Sequence, residues 1–300
     1  MKHLIVKPWI AHLLLLLVNL IYGANFSIAK AIMPRFIDPY GFIFYRVSIS
    51  LVLYSIIYFL FFKEKIQKKD IPRLLCCGFF GIALNQLMFF KGISLTSTVH
   101  SALLMILTPM MTFVISHFLI REKLKMSRIF GLIFGAVGAG ILILMGSKTN
   151  GEASMFGDLC IIVNAISYAI YLTIVKPLMS KYNPVTIILL NFLTGFGWVA
   201  IFGLQDALKV DWAAIPNQYY WNFGFVILGA TFLVYLLNII AMKSVSPTTV
   251  SSYIYIQPLF AILIAIFFTT ETTSFSTILG GTLILLGLYL INKTSKSIIT

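Results

Sequence analysis

Long apolar segments alternate with short charged or Pro-, Gly- and Asn-containing stretches along the whole chain. Each apolar segment is close to the roughly 20 residues that a helix needs to cross the hydrocarbon of a bilayer. The pattern predicts ten membrane-spanning helices, near residues 9–30, 40–62, 73–90, 97–119, 128–146, 156–175, 185–204, 219–241, 248–268 and 276–292. The spans occupy most of the chain, so the predicted fold class is an all-α integral membrane protein without a soluble domain.

The composition agrees with this pattern. Of the 300 residues, 60% are hydrophobic and only 10% are charged, whereas a soluble domain carries about a quarter charged residues. The net charge of +13 would suggest nucleic acid as a partner of a soluble protein, but here the cations lie between apolar runs, and we predict no nucleic-acid partner. Cys76, Cys77 and Cys160 lie within apolar segments without metal-ligand spacing, so no metal site is predicted.

The distribution of cations predicts the orientation of the spans. Cytoplasmic loops of membrane proteins are enriched in Lys and Arg. If the N-terminus is inside, sixteen cations fall in cytoplasmic segments and five in outer loops, and the remaining one, Arg46, lies within the second span. We therefore predict a multi-pass protein of the cell membrane (inner or plasma membrane) with both termini in the cytoplasm.

The chain contains an internal repeat. Residues 149 positions apart match in two glycine pairs, a proline pair and a glutamate pair: Gly131 and Gly280, Gly138 and Gly287, Pro109 and Pro258, Glu122 and Glu271. Near the start of each half, an offset of 145 aligns Asn19 with Asn164. We predict two five-helix repeats, over residues 1–147 and 153–296. Because five is odd, the second repeat enters the membrane from the opposite side, so the repeats are inverted.

Inverted repeats are a common architecture of secondary transporters, which bind their substrate near the midplane between the halves. A duplicated structural bundle without transport would have the same pattern. The aligned proline and glutamate pairs lie within short motifs. In the first half these motifs are GISLTS at 92–97, LTP at 107–109 and IRE at 120–122, and in the second they are AMKSVSP at 241–247, IQP at 256–258 and TE at 270–271.

These paired motifs resemble those of the EamA-like family of the drug/metabolite transporter (DMT) superfamily, along nearly the whole chain. The resemblance implies an inner-membrane protein with ten helices, both termini in the cytoplasm, and the export of amino acids or related metabolites. It also implies a central cavity lined mainly by helices 1, 3, 4, 6, 8 and 9, with helices 5 and 10 at the periphery.

Uncharged polar residues recur on single faces of several predicted helices, as Asn164, Tyr168 and Tyr171 do in the sixth span. Polar side chains in hydrocarbon must find partners, so these faces are predicted to point into the bundle. There they either contact the substrate or join helices by hydrogen bonds. The candidates for the substrate cavity are Asn19, Tyr22, Asn25, Asn85, Gln86, His100, Thr108, Asn164, Tyr168, Tyr171, Tyr235, Asn238, Tyr255 and Gln257.

Ionisable residues inside the predicted spans are scarce. Arg46 is a candidate contact for an anionic substrate; the structural alternatives are snorkelling to the outer interface and pairing with Asp38. The nine carboxylates all fall in loops or near span ends, so no obvious mid-membrane proton carrier is present in the sequence. Pro109 and Pro258 occupy matching positions and are candidates either for a pair of hinges or for plain packing kinks.

Motifs of enzymes are missing from the sequence, which has no HExxH, no Walker-type loop and no GxSxG. We predict no catalytic residue and no cofactor. The predicted function is that of a secondary transporter, a monomer or homodimer in the lipid bilayer, which exports amino acids or similar small-molecule substrates by alternating access. The alternatives are a non-transporting receptor or scaffold, and a DMT-type carrier of anionic or phosphorylated metabolites.

Overall fold

The computed structural model describes residues 7–120, 126–141, 144–145, 154–245, 250, 253–257, 260 and 275–293. These residues form helices joined by short loops, and no strand occurs among them. Seven helices in this part of the chain are long and apolar enough to cross a membrane, and they correspond to predicted spans one to four and six to eight.

The helices, numbered in chain order, are α1 (Pro8–Lys30), α2 (Pro39–Phe61), α3 (Ile71–Gly78), α4 (Leu84–Leu95), α5 (Thr98–Met105), α6 (Leu107–Ile120), α7 (Met126–Ile141), α8 (Met155–Met179), α9 (Pro184–Leu208), α10 (Asn217–Gly224), α11 (Val234–Ser244) and α12 (Phe275–Lys293). Helices α7 and α12 correspond to the fifth and tenth predicted spans. Most of the ninth predicted span, 248–268, lies outside the described residues, so the total of ten spans stays a prediction.

Prolines mark where several helices begin or break. Pro39 and Pro184 lie in the first turn of α2 and α9, where the fixed φ of proline suits a helix and its missing N–H costs no hydrogen bond. Pro109 acts differently, because it cannot donate to the carbonyl of Met105. The fourth span is interrupted at this point, since α5 ends at Met105 and α6 begins at Leu107. Pro258, the matching hinge candidate, lies outside the described residues.

Two spans contain a stretch of π-helix at matching places. Helix α3 passes into α4 through Phe79–Ala83, and α10 passes into α11 through Phe225–Leu233. An offset of 149 residues moves the first stretch to 228–232, which lies inside the second. π-Helical stretches are rare and are frequently found at functional sites. The apolar pattern did not predict either of them.

Helices α7 and α12 are packed against each other through glycines. A methyl group on Gly138 would lie 2.6 Å from the carbonyl oxygen of Gly280. A methyl group on Gly287 would likewise meet the carbonyl oxygen of Gly131. The two helices therefore run antiparallel, and their backbones approach closely because small residues lie at the contact.

The other long helices also pair, α2 with α9, α4 with α8, and α1 with α11. Their outward faces carry exposed large apolar side chains, such as Val52 and Phe59 on α2 and Ile201 on α9, whereas buried positions include many Asn, Thr and Tyr residues. A soluble protein does not expose so many large apolar side chains. This distribution suits a bundle whose outer surface contacts lipid.

Candidate functional site

A polar cavity lies between the helices, lined by α1, α2, α4, α5, α8 and α11 and by residues of the ninth predicted span. Its polar lining residues are Asn19, Tyr22, Asn25, Arg46, Asn85, Gln86, Asn164, Tyr168, Tyr235, Asn238 and Gln257. All of them are among the candidates proposed from the sequence, and their contact with a substrate stays a prediction. The apolar lining, which the sequence analysis did not name, consists of Val18, Phe26, Phe89, Phe90, Met105, Val250 and Ile254.

The cavity is small. Its volume is about 60 Å³, counted as the space open to the centres of water molecules. Pockets for drug-sized molecules measure about 300–1,000 Å³, so in this conformation the cavity is too small for one of them.

Amides of α1, α4 and α8 fix the walls of the cavity. Asn164 Nδ2 donates to the carbonyl oxygen of Asn85 at 2.7 Å, and Asn85 Nδ2 donates to the carbonyl oxygen of Asn164 at 3.4 Å. Gln257 Nε2 donates to Asn19 Oδ1 at 2.6 Å, which ties the ninth predicted span to α1. Part of the polar lining therefore joins helices, as one of the two interpretations of the polar faces supposes.

Tyrosine hydroxyls extend this network to α11. Gln86 Nε2 donates to the hydroxyl of Tyr235 at 2.9 Å, and that hydroxyl donates to the carbonyl oxygen of Gly81 at 3.3 Å. Gly81 lies in the π-helical stretch Phe79–Ala83. Asn238 Nδ2 donates to the hydroxyl of Tyr168 at 2.8 Å. The eighth predicted span is thus joined to the third and to the sixth by side chains that line the cavity.

Arg46 is buried in the cavity wall, with only 3% of its surface exposed. Its Nε donates to Thr231 Oγ1 at 2.7 Å, and the centre of its guanidinium lies 4.2 Å from the centroid of the Phe90 ring, within cation–π range. Its Nη1 has no hydrogen-bond partner. Arg46 therefore does not snorkel to the interface. Thr231, which lies in the stretch Phe225–Leu233, was not among the candidates.

Arg46 has no ion pair with Asp38 or with any other carboxylate in the part of the chain that the structure describes. The described residues that line the cavity include no Asp and no Glu. A buried cation without a counter-ion is costly, because neither water nor an opposite charge compensates it. No described residue of the lining compensates the charge of Arg46, so the cavity favours an anionic group.

Four side-chain amide oxygens of the lining accept no hydrogen bond from the described residues. They are Asn25 Oδ1, Gln86 Oε1, Asn164 Oδ1 and Asn238 Oδ1. Buried acceptors are nearly always paired in folded proteins, so each of them is suited to a donor on a molecule that enters the cavity.

His100 lies outside this lining. Its Nδ1 is 3.2 Å from Asp158 Oδ2, and Asp158 Oδ1 accepts from Thr96 Oγ1 at 2.5 Å. Asp158 is completely buried. These contacts hold the start of α5 and the end of α4 against the start of α8. The position of Asp158 near the end of a predicted span did not predict that its side chain is buried.

Thr108 and Tyr171 also lie outside the lining. Tyr171 is buried against α9, where its hydroxyl accepts from Asn191 Nδ2 at 3.4 Å, and its ring stacks on that of Tyr168. Thr108 is completely buried within α6, and its carbonyl oxygen accepts from Thr112 Oγ1 at 2.8 Å. The side chain of Tyr255 lies outside the described residues.

Apolar helices around a polar cavity define a multi-pass membrane protein of the transporter class. The model of the EamA-like transporter family matches residues 9–144 and 155–293. The chain therefore belongs to the EamA-like transporter family, which confirms the resemblance seen in its paired motifs.

Relatives of similar length are described as transporters. An uncharacterized transporter of Archaeoglobus fulgidus is 25% identical over 95% of this chain and 98% of its own length. The uncharacterized transporter YyaM of Bacillus subtilis is 24% identical over 96% of this chain and 93% of its own length. A solved crystal structure, 15% identical in sequence, shares the fold with a TM-score of 0.65 over 95% of this chain and 98% of that chain.

Proposed function

We propose that the protein is a secondary transporter that exports amino acids or similar small metabolites across the cell membrane by alternating access of two inverted halves. The observation that carries this proposal is the polar cavity. Its lining comes from both segments that match the family, with Asn19 and Asn85 in the first and Asn164 and Tyr235 in the second. A site shared by two halves is exposed to either side when the halves rock.

The contact between α7 and α12 supports the inversion. Gly131 is aligned with Gly280, and Gly138 with Gly287, so the contacts Gly138–Gly280 and Gly287–Gly131 exchange equivalent residues. Reciprocal contacts of this kind are typical of a two-fold axis. Because the two helices are antiparallel, such an axis runs across them, in the plane of the membrane.

The remaining helix pairs support the same relationship. The alignment makes α1 equivalent to α8 and α4 equivalent to α11, so the pair of α4 and α8 has its counterpart in the pair of α11 and α1. The pairs α2 with α9 and α7 with α12 each join two equivalent helices. The same alignment also makes the π-helical stretches Phe79–Ala83 and Phe225–Leu233 equivalent.

The chemistry of the lining favours small amphipathic solutes. Amides and tyrosines provide hydrogen bonds, and Phe26, Phe89 and Phe90 provide apolar surface. A phosphorylated metabolite is less well served, because a phosphate group carries up to two negative charges and Arg46 is the only cation in the described lining. Since one chain encloses the cavity, the site is complete in a monomer, whether or not two copies associate in the bilayer. The excess of Lys and Arg in alternate loops supports placing both termini in the cytoplasm.

Purified protein in proteoliposomes tests the proposal. Labelled amino acids, hydroxy acids and sugar phosphates are offered one at a time, with and without an imposed pH gradient. We expect saturable flux of at least one amino acid or similar metabolite, strongly reduced in Asn164→Ala/Tyr168→Ala protein that keeps its thermal stability. Specific binding of a signalling molecule without flux of any solute would favour the receptor, and flux of sugar phosphates alone would favour the carrier of phosphorylated metabolites.

A further inference from the structure

We infer that Arg46 anchors a carboxylate of the solute, and that the solute is a small monocarboxylate that also carries a hydrogen-bond donor, as 2-amino and 2-hydroxy acids do. This inference rests on the proposed transport function and assigns its substrate class. It follows from three properties of the cavity, namely the contacts of the guanidinium, the charge of the lining and the presence of unpaired acceptors.

The guanidinium of Arg46 is held in place with part of its donor set unused. Its Nε is fixed by Thr231 Oγ1, and its face lies against the Phe90 ring. The Thr231 hydroxyl is itself oriented, because it donates to the carbonyl oxygen of Val226 at 2.7 Å. The unpartnered Nη1 is therefore available to donate a charge-assisted hydrogen bond to a carboxylate oxygen. Thr231 is thus a positioning residue for Arg46.

The charge of the lining limits the solute to one anionic group at this position. Arg46 is the only cation among the described lining residues, and none of them is a carboxylate. One carboxylate neutralises the guanidinium inside a low-dielectric cavity, whereas a second negative charge would meet no cation and would bear the full cost of burial. A solute without a carboxylate would leave Arg46 uncompensated.

The unpaired amide oxygens indicate which other polar group the solute carries. Asn25, Gln86, Asn164 and Asn238 each offer a buried oxygen that accepts no hydrogen bond from a described residue. Amide oxygens accept and do not donate, so the complementary group on the solute is an ammonium or a hydroxyl.

Binding to the purified full chain in detergent, followed by calorimetry and by thermal stabilisation, tests this inference without relying on transport. The ligands are L-alanine, L-lactate, propionate and L-alaninamide, four molecules of similar size. We expect L-alanine or L-lactate to bind, and which of them binds identifies the donor. Propionate, which lacks the donor, and L-alaninamide, which lacks the carboxylate, are expected to bind at least about tenfold more weakly, because each leaves buried groups unpaired.

Variants of Arg46 provide a second test of this inference. Arg46→Gln is expected to weaken binding of the preferred acid by about 10- to 100-fold, which is the effect of losing a charge-assisted pair. Arg46→Lys, which keeps the charge and loses the planar fork, should have an intermediate effect. Arg35→Gln is the matched control, because Arg35 is exposed and lies outside the cavity. Thr231→Val replaces Arg46→Gln in this test if the latter does not fold. It keeps the cation but removes the hydroxyl that orients the guanidinium of Arg46, and it should weaken binding several-fold.

The outcomes separate this inference from the proposed function. Equal binding of L-alaninamide and L-alanine, unchanged affinity in Arg46→Gln, or no binding of any of the four acids and amides would overturn the carboxylate anchor even if other solutes are transported. Arg46-dependent binding without any flux in proteoliposomes would support the anchor and would overturn the transport function.

Discussion

Gln86 and Tyr235 are 149 positions apart in the sequence, and their side chains are joined by a hydrogen bond of 2.9 Å in the wall of the cavity. The same offset aligns the two glycine pairs and the proline pair of the two halves. Equivalent residues of two halves related by a two-fold axis touch each other only close to that axis. The hydrogen bond therefore marks the place about which the proposed halves would rock.

Tyr235→Phe is expected to slow transport while leaving the fold intact. The change removes the acceptor of Gln86 Nε2 and the donor to the carbonyl of Gly81. A buried hydrogen bond contributes about 1 kcal/mol, so we expect the flux to fall by about fivefold. Initial rates in proteoliposomes measure the effect.

The control for this change is Tyr45→Phe, which removes another tyrosine hydroxyl bond, to the carbonyl oxygen of Ala207 at 2.8 Å, outside the cavity. It should lower thermal stability to a similar extent without changing the flux. Equal flux in the Tyr235→Phe and Tyr45→Phe proteins would show that the hydrogen bond at the proposed axis has no role in transport.

The contact of α7 with α12 predicts a strong contrast between two glycines of one helix. Gly138→Ala would place a methyl group 2.6 Å from the carbonyl oxygen of Gly280, so the helices must separate. Gly140→Ala meets no atom within 4 Å. We expect Gly138→Ala to lower the free energy of unfolding by about 1–3 kcal/mol, as overpacking does. Gly140→Ala should be neutral or should stabilise the helix by up to about 1 kcal/mol. Equal melting temperatures of the two variants in detergent would contradict the close approach.

The sequence was sufficient to place the polar faces in the interior. Asn19, Asn164 and Tyr235 line the cavity because a polar side chain in hydrocarbon must be hidden from lipid, and helical periodicity states which residues share its face. The same rule cannot tell a cavity from a contact between helices. His100, Tyr171 and Thr108 satisfy the rule equally well, yet the structure buries them outside the cavity lining.

Other features had no local signal. The π-helical stretch Phe79–Ala83 contains no proline, and its glycine alone does not predict an extra residue in a helical turn. The role of Thr231 depends on Arg46, which is 185 positions away in the chain and lies on another helix. Such pairs are set by the packing of helices, which periodicity along one helix cannot supply.

The buried pair of His100 and Asp158 is expected to stabilise the fold. Asp158 accepts from Thr96 and is 3.2 Å from His100, with no exposed surface. Removing the partner of a buried hydrogen-bonding group costs about 1–3 kcal/mol, so Asp158→Ala should lower the melting temperature. The double variant Asp158→Leu/His100→Leu should recover part of the loss. Asp206→Ala breaks the pair with the exposed Lys209, in which Asp206 is partly exposed, and should change stability by less than about 1 kcal/mol. A small effect of Asp158→Ala would argue against this stabilising role.

The orientation in the membrane can be tested with two cysteines at opposite ends of one helix pair. Gly41 lies against the backbone of Ala207, so the exposed Lys209 is at the same end as the start of α2. The backbone N–H of Asn183 donates to Glu64 Oε2 at 2.8 Å, so the exposed Lys65 is at the other end.

The excess of cations in alternate loops predicts that Lys65 faces the cytoplasm and Lys209 faces outward. Cys76 is the exposed native cysteine, and Cys77 and Cys160 are buried, so Cys76→Ser provides the background. In intact cells, a membrane-impermeant maleimide should label Lys209→Cys and should label Lys65→Cys only after permeabilisation. The opposite labelling would reverse the predicted topology. Labelling of both positions in intact cells would place the two ends on the same side, which the antiparallel pairing of α2 and α9 does not allow.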